Sequence, residues 1–211
     1  MTSLRDIYET RREQMLLPLA SRLEAHLKDV FVGNQRIDRI SVRAKNVDRF
    51  VAKAKKEIEG KRKYSDPFTQ IQDQLGARIV TFYKSDVEKL TTEVMKYFRH
   101  IESRQIVPDS ASEFGYEGRH FILFVPRDVF DDEVKEDNSI TFFELQIKTL
   151  FQHAWSEAEH DLGYKPSTLL SGDQKRRLAF TAAQAWGADQ IFDELYRQIE
   201  SAGALAGLPV R

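Results

Sequence analysis

The 211-residue sequence has no cysteine, which excludes disulfides, thiolate zinc sites and a cysteine nucleophile and fits a cytoplasmic protein. No apolar run approaches the roughly 18 residues that a membrane-spanning helix needs. Charges scattered through residues 1–30 do not read as a secretory signal. Neither sign of charge dominates: 32 Lys and Arg stand against 33 Asp and Glu, a formal net charge of −1, which argues against bulk coating of nucleic acid. There is no Walker A loop, no internal repeat and no low-complexity stretch. What remains is 41% hydrophobic and 31% charged, too apolar for a disordered chain and sufficient for a sizeable core.

Leu4, Ile7, Tyr8, Met15, Leu19, Leu23, Leu27 and Phe31 recur at helical spacing, so residues 3–31 are expected to form an amphipathic helix kinked before Pro18 and ended at Gly33-Asn34. Residues 37–43 (IDRISVR) alternate like a strand. Asn46 is positioned to cap a helix reaching about Glu59, and the basic 60–67 segment (GKRKYSDP) reads as a solvated loop. A short helical piece over 68–73 leads into a strand at 77–83 (ARIVTFY), then a helix over 85–99. Strands are expected at 100–107, 119–125 and 139–147, and helices from Thr149 onward, broken near Pro166 and Ser171-Gly172-Asp173. The expectation is an α+β (mixed α/β) fold: one mixed sheet of about five strands flanked by N- and C-terminal helices. It divides into an N-terminal helical extension (1–36), a core (37–165) and C-terminal helices with a tail (166–211), forming one globular domain overall.

Five clusters carry chemistry. Asp73, in DQLGAR, stands at the mouth of a strand expected to be buried, where carboxylate oxygens suit a hard cation. Gly76 in the same motif would permit close approach of backbone or ligand, and Arg78 follows it. Glu144 lies inside a very apolar strand, where a carboxylate is costly unless paired, metal-bound or protonated. By the two-residue period Glu144, Gln146 and Lys148 share one face, and Phe143, Leu145 and Ile147 take the core face; an exposed sheet edge is the plainer alternative. Two acids on separate strands are the minimum for metal-assisted phosphoryl chemistry. Arg43, Lys45 and Lys53, with Arg78, could neutralise a triphosphate or stack on a purine. Tyr116 in GYEGRH offers a stacking platform ahead of His120, which could contact phosphate. His153, Glu157 and His160 share a helical face that would line a cleft or, less in keeping with zinc spacing, hold a metal; Trp155, Leu162 and Tyr164 look like core, and Lys165 is a candidate partner for the acids.

Taken in order, R-x-K with Lys53, D-x-x-G-x-R, G-Y-x-x-x-H, E-x-Q-I-K-T and W-x-x-x-E-H-D-L-x-Y-K resemble the synthetase domain of the RelA/SpoT family over residues 37–165, in its small, single-domain form. The resemblance implies a nucleotidyltransferase-like sheet. It also implies transfer of the β,γ-pyrophosphate of ATP to the 3′-hydroxyl of GDP or GTP, giving the alarmone (p)ppGpp with Mg²⁺, or Mn²⁺ in its place. On that resemblance Arg43 and Arg78 would hold the adenine, Lys45 and Lys53 the ATP phosphates, and Asp73 and Glu144 the metal, with Glu144 also serving the acceptor hydroxyl as base. Tyr116, His120, Gln146, Lys148 and His153 would form the acceptor side. A homo-oligomer, tetramer or dimer, is also implied, and the His160-Asp161 pair is not expected to be a hydrolase site.

The departures from the family pattern gather on the acceptor side: Lys148 where Arg is frequent, Gly118 in place of a small hydroxyl residue, PDSASEF ahead of Gly-Tyr, and His153. A lysine keeps the charge of arginine but loses its planar fork. The acceptor is therefore the more open half of the expectation. A toxic relative using an adenosine nucleotide or a tRNA 3′ end is the alternative, with Lys61-Arg62-Lys63 as the RNA contact. A catalytically silent nucleotide- or RNA-binding module is the other.

Overall fold

A computed structural model describes residues 3–110, 113–115, 117–130, 140–163 and 170–203. In order the elements are α1 (Leu4–Arg11), α2 (Leu17–Val30), β1 (Ile37–Ala44), α3 (Val47–Ala54), β2 (Glu57–Ile58), β3 (Lys61–Arg62), α4 (Pro67–Gln70), β4 (Leu75–Thr81), α5 (Lys84–Tyr97), β5 (His100–Ile106), β6 (Gly118–Phe124), β7 (Phe142–Thr149), α6 (Leu150–Gly163) and α7 (Gly172–Ser201). Five strands form one mixed sheet in the order β1-β4-β7-β6-β5. β4 and β7 run parallel, and every other neighbouring pair is antiparallel. The α+β expectation with about five strands holds. Glu144 lies on β7, the central strand, so the edge-strand alternative falls.

One face of the sheet is dry. Phe143, Leu145 and Ile147 on β7, Ile79 on β4 and Leu123 on β6 are fully buried, covered by α2 against β1 and α5 against β7. The other face carries the polar members of the same alternation, and α6 packs on it over β7 and β4. α7 then packs on α6 and α5. Among the described residues no helix is long and apolar enough to cross a membrane.

Three local readings change. The expected 3–31 helix contains a wide π turn at Arg12–Leu16, where the Leu17 N–H reaches back five residues to the Arg12 carbonyl. Pro18, in the first turn of α2, has no N–H to give, and the widened turn absorbs that loss. α3 ends at Ala54 rather than near Glu59, because β2 and β3 pair as a hairpin across Glu59 (φ 51°) and Gly60 (φ 75°). Both turn residues are left-handed, the geometry a two-residue hairpin requires. Leu162, expected in the core, is 52% exposed; Trp155 is half-buried with its Nε1 donating to Thr181 Oγ1 (3.1 Å). Tyr164 and Lys165 lie outside the described residues.

Candidate active site

The polar face of the sheet is built in rows. Arg43 pairs with Gly76 across β1 and β4, and Gly76 pairs with Glu144 across β4 and β7. In the next row Ser41, Arg78, Gln146 and His120 stand in register across four strands. Side chains at matching register share a face. These rows open into a cleft of about 520 Å³ lined by Arg43, Lys45, Arg49, Asp73, Arg78, Glu144 and Gln146, among others. A smaller recess of about 270 Å³ continues it toward His120, Lys148, Ser156 and Glu157.

The Asp73 end is fixed from three directions. Asn46 caps α3 by accepting from Asp48 N–H (2.9 Å), which sets the helix that carries Lys53. The Lys45 N–H donates to the Gln74 carbonyl (2.8 Å), tying the end of β1 to the 3₁₀ turn Gln72–Gln74. Tyr8 stacks on Phe50 (3.7 Å between centroids) and its hydroxyl donates to the Lys45 carbonyl (3.1 Å), so α1 braces the same corner. As a result Lys45 Nζ lies 2.6 Å and Lys53 Nζ 3.0 Å from the same Asp73 oxygen, Oδ2. Burial pushes the Asp73 carboxyl upward, but the two ammoniums outweigh it and hold it below its ordinary value. Its other oxygen, Oδ1, is buried without a partner among the described residues.

Glu144 is the second acid. Its Oε1 lies 2.9 Å from His120 Nδ1. Burial and the Asp73 charge raise its carboxyl; the hydrogen bond and charge of His120, aided by Gln146, prevail and keep it ionised below the usual range. One orphaned carboxylate oxygen on Asp73 and an ionised Glu144 in the same cleft are a hard oxygen donor set. That set fits a divalent cation taking its remaining ligands from phosphates and water.

The far end is organised from α6. Arg78 Nη1 donates to Glu157 Oε1 (2.6 Å) and lies 3.2 Å from His153 Nδ1. Burial and the Arg78 cation push the His153 imidazole down, so the neutral ring accepts from the guanidinium. The alternative of a metal on His153, Glu157 and His160 falls: among the described residues no group of three or more such side chains could hold an ion. Lys148 is 2% exposed, and its Nζ donates to Ser156 Oγ (3.0 Å). Burial, reinforced by Arg78, brings its ammonium down to about 7.

A region found in RelA/SpoT proteins matches residues 42–168. The chain belongs to the RelA/SpoT family. It is 27% identical over 153 residues to the GTP pyrophosphokinase YjbM of Bacillus subtilis (strain 168), covering 70% of this chain and 69% of that protein. The small alarmone synthetase 1 of Bacillus subtilis superposes with a TM-score of 0.74 at 22% identity, over 90% of this chain and 98% of the other. A GTP pyrophosphokinase family protein from Streptococcus pneumoniae superposes with a TM-score of 0.75 at 24% identity, over 98% of this chain and 100% of the other. The structure of the Bacillus subtilis enzyme bound to its product pppGpp gives 0.72 at 21%, over 90% and 99%. At these identities the superpositions establish a shared fold.

Within this RelA/SpoT sheet Arg43, Lys45, Lys53, Asp73, Arg78, Glu144 and Gln146 meet around one cleft or its bound carboxylate, and His120, Lys148 and His153 line or border its extension. Tyr116 lies outside the described residues. No protein atom requires glycine at position 76: a Cβ there would meet Arg43 Cγ at 3.9 Å, an ordinary contact. Arg49, which lines both parts of the cleft, was not singled out. Its position four residues before Lys53 on α3 was the available signal.

Proposed function

We propose that this protein is an ATP:GTP/GDP 3′-pyrophosphotransferase that makes (p)ppGpp. The carrying observation is the pairing of Asp73, gripped by Lys45 and Lys53 with one oxygen unpartnered among the described residues, with ionised Glu144 in a cleft walled by Arg43, Arg49 and Arg78. The reaction forms a bond between the acceptor 3′-oxygen and the β-phosphorus of ATP, breaks the α–β bridging bond, releases AMP and frees one proton. Transfer of this kind needs charge neutralisation and in-line placement more than covalent help. Lys45 and Lys53 supply the neutralising charge at the donor phosphates, and the Arg43 and Arg78 guanidiniums offer planar faces for the adenine. Glu144 orients the acceptor hydroxyl and takes its proton; a carboxylate held below its ordinary range is a weak base, which suffices where the proton leaves late. Mg²⁺, or Mn²⁺ in its place, held by Asp73 and Glu144 would spread the negative charge of the transferring group. His120 steadies Glu144 and, with Gln146, Lys148, His153 and Tyr116, forms the acceptor side.

Labelled ATP with Mg²⁺ and GDP, GTP, GMP, ADP or tRNA tests this reading, with Asp73→Ala as control. Label is expected on GDP and GTP; folded wild-type protein that labels no acceptor would end it. The tRNA arm is included because Lys61, Arg62 and Lys63 stand exposed on the β2–β3 hairpin, and the ADP arm because the departures from the family pattern gather on the acceptor side. We also propose self-association, since α7 leaves Phe180, Ile191, Leu195 and Ile199 between 45% and 64% exposed.

A further inference from the structure

Two arginines on the polar face of the sheet stand close enough to repel. Arg43, on β1, lies alongside Gly76: a Cβ at position 76 would meet its Cγ at 3.9 Å and its Nε at 4.0 Å. Arg78 follows two residues later on β4, on the same face. Burial depresses the Arg43 guanidinium most, and the Arg78 charge comes next. Left alone, two guanidiniums in this relation would swing apart.

A counter-charge comes from α6. Glu157 and His153 sit one turn apart on that helix, and both meet the same corner of Arg78. Nη1 donates to Glu157 Oε1 (2.6 Å) and lies 3.2 Å from His153 Nδ1. Among the described residues Arg78 forms no other hydrogen bond, which leaves its Nε and Nη2 for a ligand. Burial raises the Glu157 carboxyl, but the bond and charge of Arg78 prevail and hold it below its ordinary value. The same negative charge favours the ionised forms of Arg43 and Lys148. An ion pair with one partner 53% exposed adds little to stability, so its consequence is where Arg78 stands. We infer that Glu157 is a positioning residue for ATP: through Nη1 it holds the Arg78 guanidinium beside Arg43, where the two can take the adenine. The inference rests on the proposed function, which assigns both arginines to that base. The phosphate end, where Lys45 and Lys53 meet Asp73, takes no part in this contact.

The sign of the effect separates positioning from simple electrostatics. Removing an acid from a cationic cleft draws any polyanion in more tightly. Removing a support from Arg78 costs affinity only for a ligand that carries the purine. The test is calorimetry with ATP and with inorganic tripolyphosphate, each with Mg²⁺, on wild type, Glu157→Ala, Glu157→Gln, Arg78→Met and the double variant Arg78→Met with Glu157→Ala. Freeing a side chain that must be ordered again on binding predicts ATP about five-fold weaker in Glu157→Ala. Tripolyphosphate should bind unchanged or more tightly, and Glu157→Gln, which keeps an acceptor oxygen, should lose less ATP affinity than Glu157→Ala. In the Arg78→Met background Glu157→Ala should weaken ATP no further. In steady state the KM for ATP should rise while kcat at saturating ATP stays within about two-fold. ATP that binds Glu157→Ala as well as wild type or better, equal weakening of ATP and tripolyphosphate, or additive losses in the double variant would overturn the inference. So would a fall in melting temperature beyond about 4 °C in Glu157→Ala, which marks a structural role. Wild type that binds ATP but makes no (p)ppGpp defeats the proposed reaction and leaves Glu157 to be judged by these affinities. Wild type that makes (p)ppGpp while Glu157→Ala binds ATP normally defeats the positioning role alone, and wild type that does not bind ATP defeats both.

Discussion

Replacing Lys148 with methionine should make the protein more stable and less active. The Nζ of Lys148 sits on a side chain only 2% exposed, at the inner end of the cleft, with Ser156 Oγ at 3.0 Å. Burial, then the Arg78 charge, lower its ammonium from 10.5 to about 7, against the pull of Glu157 and Glu144. That fall corresponds to a ceiling of about 5 kcal/mol for keeping the charged form inside, which relaxation reduces to about 2–4 kcal/mol. Because the folded value lies below the unfolded one, the folded chain holds this proton less tightly. The cost is absent above about pH 10.5, grows as pH falls through the window down to about 7, and is complete below it. Methionine fills similar length without a charge, and Ser156 Oγ keeps its bond to the His153 carbonyl (3.0 Å). Urea unfolding of wild type and Lys148→Met should therefore differ by about 2–4 kcal/mol in favour of the variant near pH 6, shrinking to about 1 kcal/mol near pH 9.5. Turnover with GDP should fall about ten-fold, because the cleft loses the Lys148 amine, a hydrogen-bonding group beside Gln146 and Arg78. A stability gap that does not change with pH, or a wild type that is the more stable protein near pH 6, would refute this account.

Asp189 gives the opposite pH signature. Burial raises its carboxyl from 3.8 to about 6, and its Oδ1 has no partner among the described residues. The folded chain holds this proton more tightly, so stability is lost as pH rises from about 4 to 6 and stays lower above. Asparagine can still accept from Thr149 Oγ1, so Asp189→Asn should gain about 1–2 kcal/mol near pH 7.5 and nothing near pH 4, read by thermal melts at both values. Glu144→Gln should lower kcat with GDP by about 100- to 1,000-fold while ATP binding measured by calorimetry holds; equal loss of both would mean the cleft had collapsed. Light scattering should return a mass above one chain, falling when Ile191 and Leu195 are both changed to Glu; a monomeric wild type refutes self-association.

The alternation through residues 142–149 was legible because Phe143, Leu145 and Ile147 are apolar without exception, and the structure buries all three. That the strand is central was not: its parallel pairing with β4 joins residues some way apart in the chain, and a two-residue period says which face is wet but not which neighbours lie alongside. The acids and cations of the cleft stood out as types. Their pairing did not, because Lys45 and Lys53 reach Asp73 only through the capped α3 and the bond from Lys45 N–H to Gln74. The hairpin at 57–62 escaped notice since Glu59, a poor left-handed residue, occupies half its turn. The π turn left the apolar spacing of the first helix nearly intact and so was invisible. Glu157 stood out on a helical face with His153 and His160; its bond to Arg78 did not, because it is a product of how α6 lies over β4.

The charges of the cleft explain why a polyphosphate suits it better than a neutral ligand. Arg43, Lys45, Arg49, Lys53 and Arg78 outnumber Asp73, Glu144, Glu157 and Glu159. Where an acid and a base touch, one partner is shared: two ammoniums meet a single Asp73 oxygen, and the guanidinium of Arg78 divides between Glu157 and a neutral His153. Crowding of like charge already costs something, since burial, Arg78 and Arg49 together depress the Arg43 guanidinium. An entering polyanion would offset that crowding as it engages Lys45 and Lys53 beside Arg43, so binding and charge neutralisation are the same event. A cleft with this surplus should hold ATP far more tightly than adenosine, and raising ionic strength should weaken ATP while leaving adenosine nearly untouched. Equal salt dependence for the two ligands in a calorimetric titration would remove the electrostatic basis for assigning this end of the cleft to the donor.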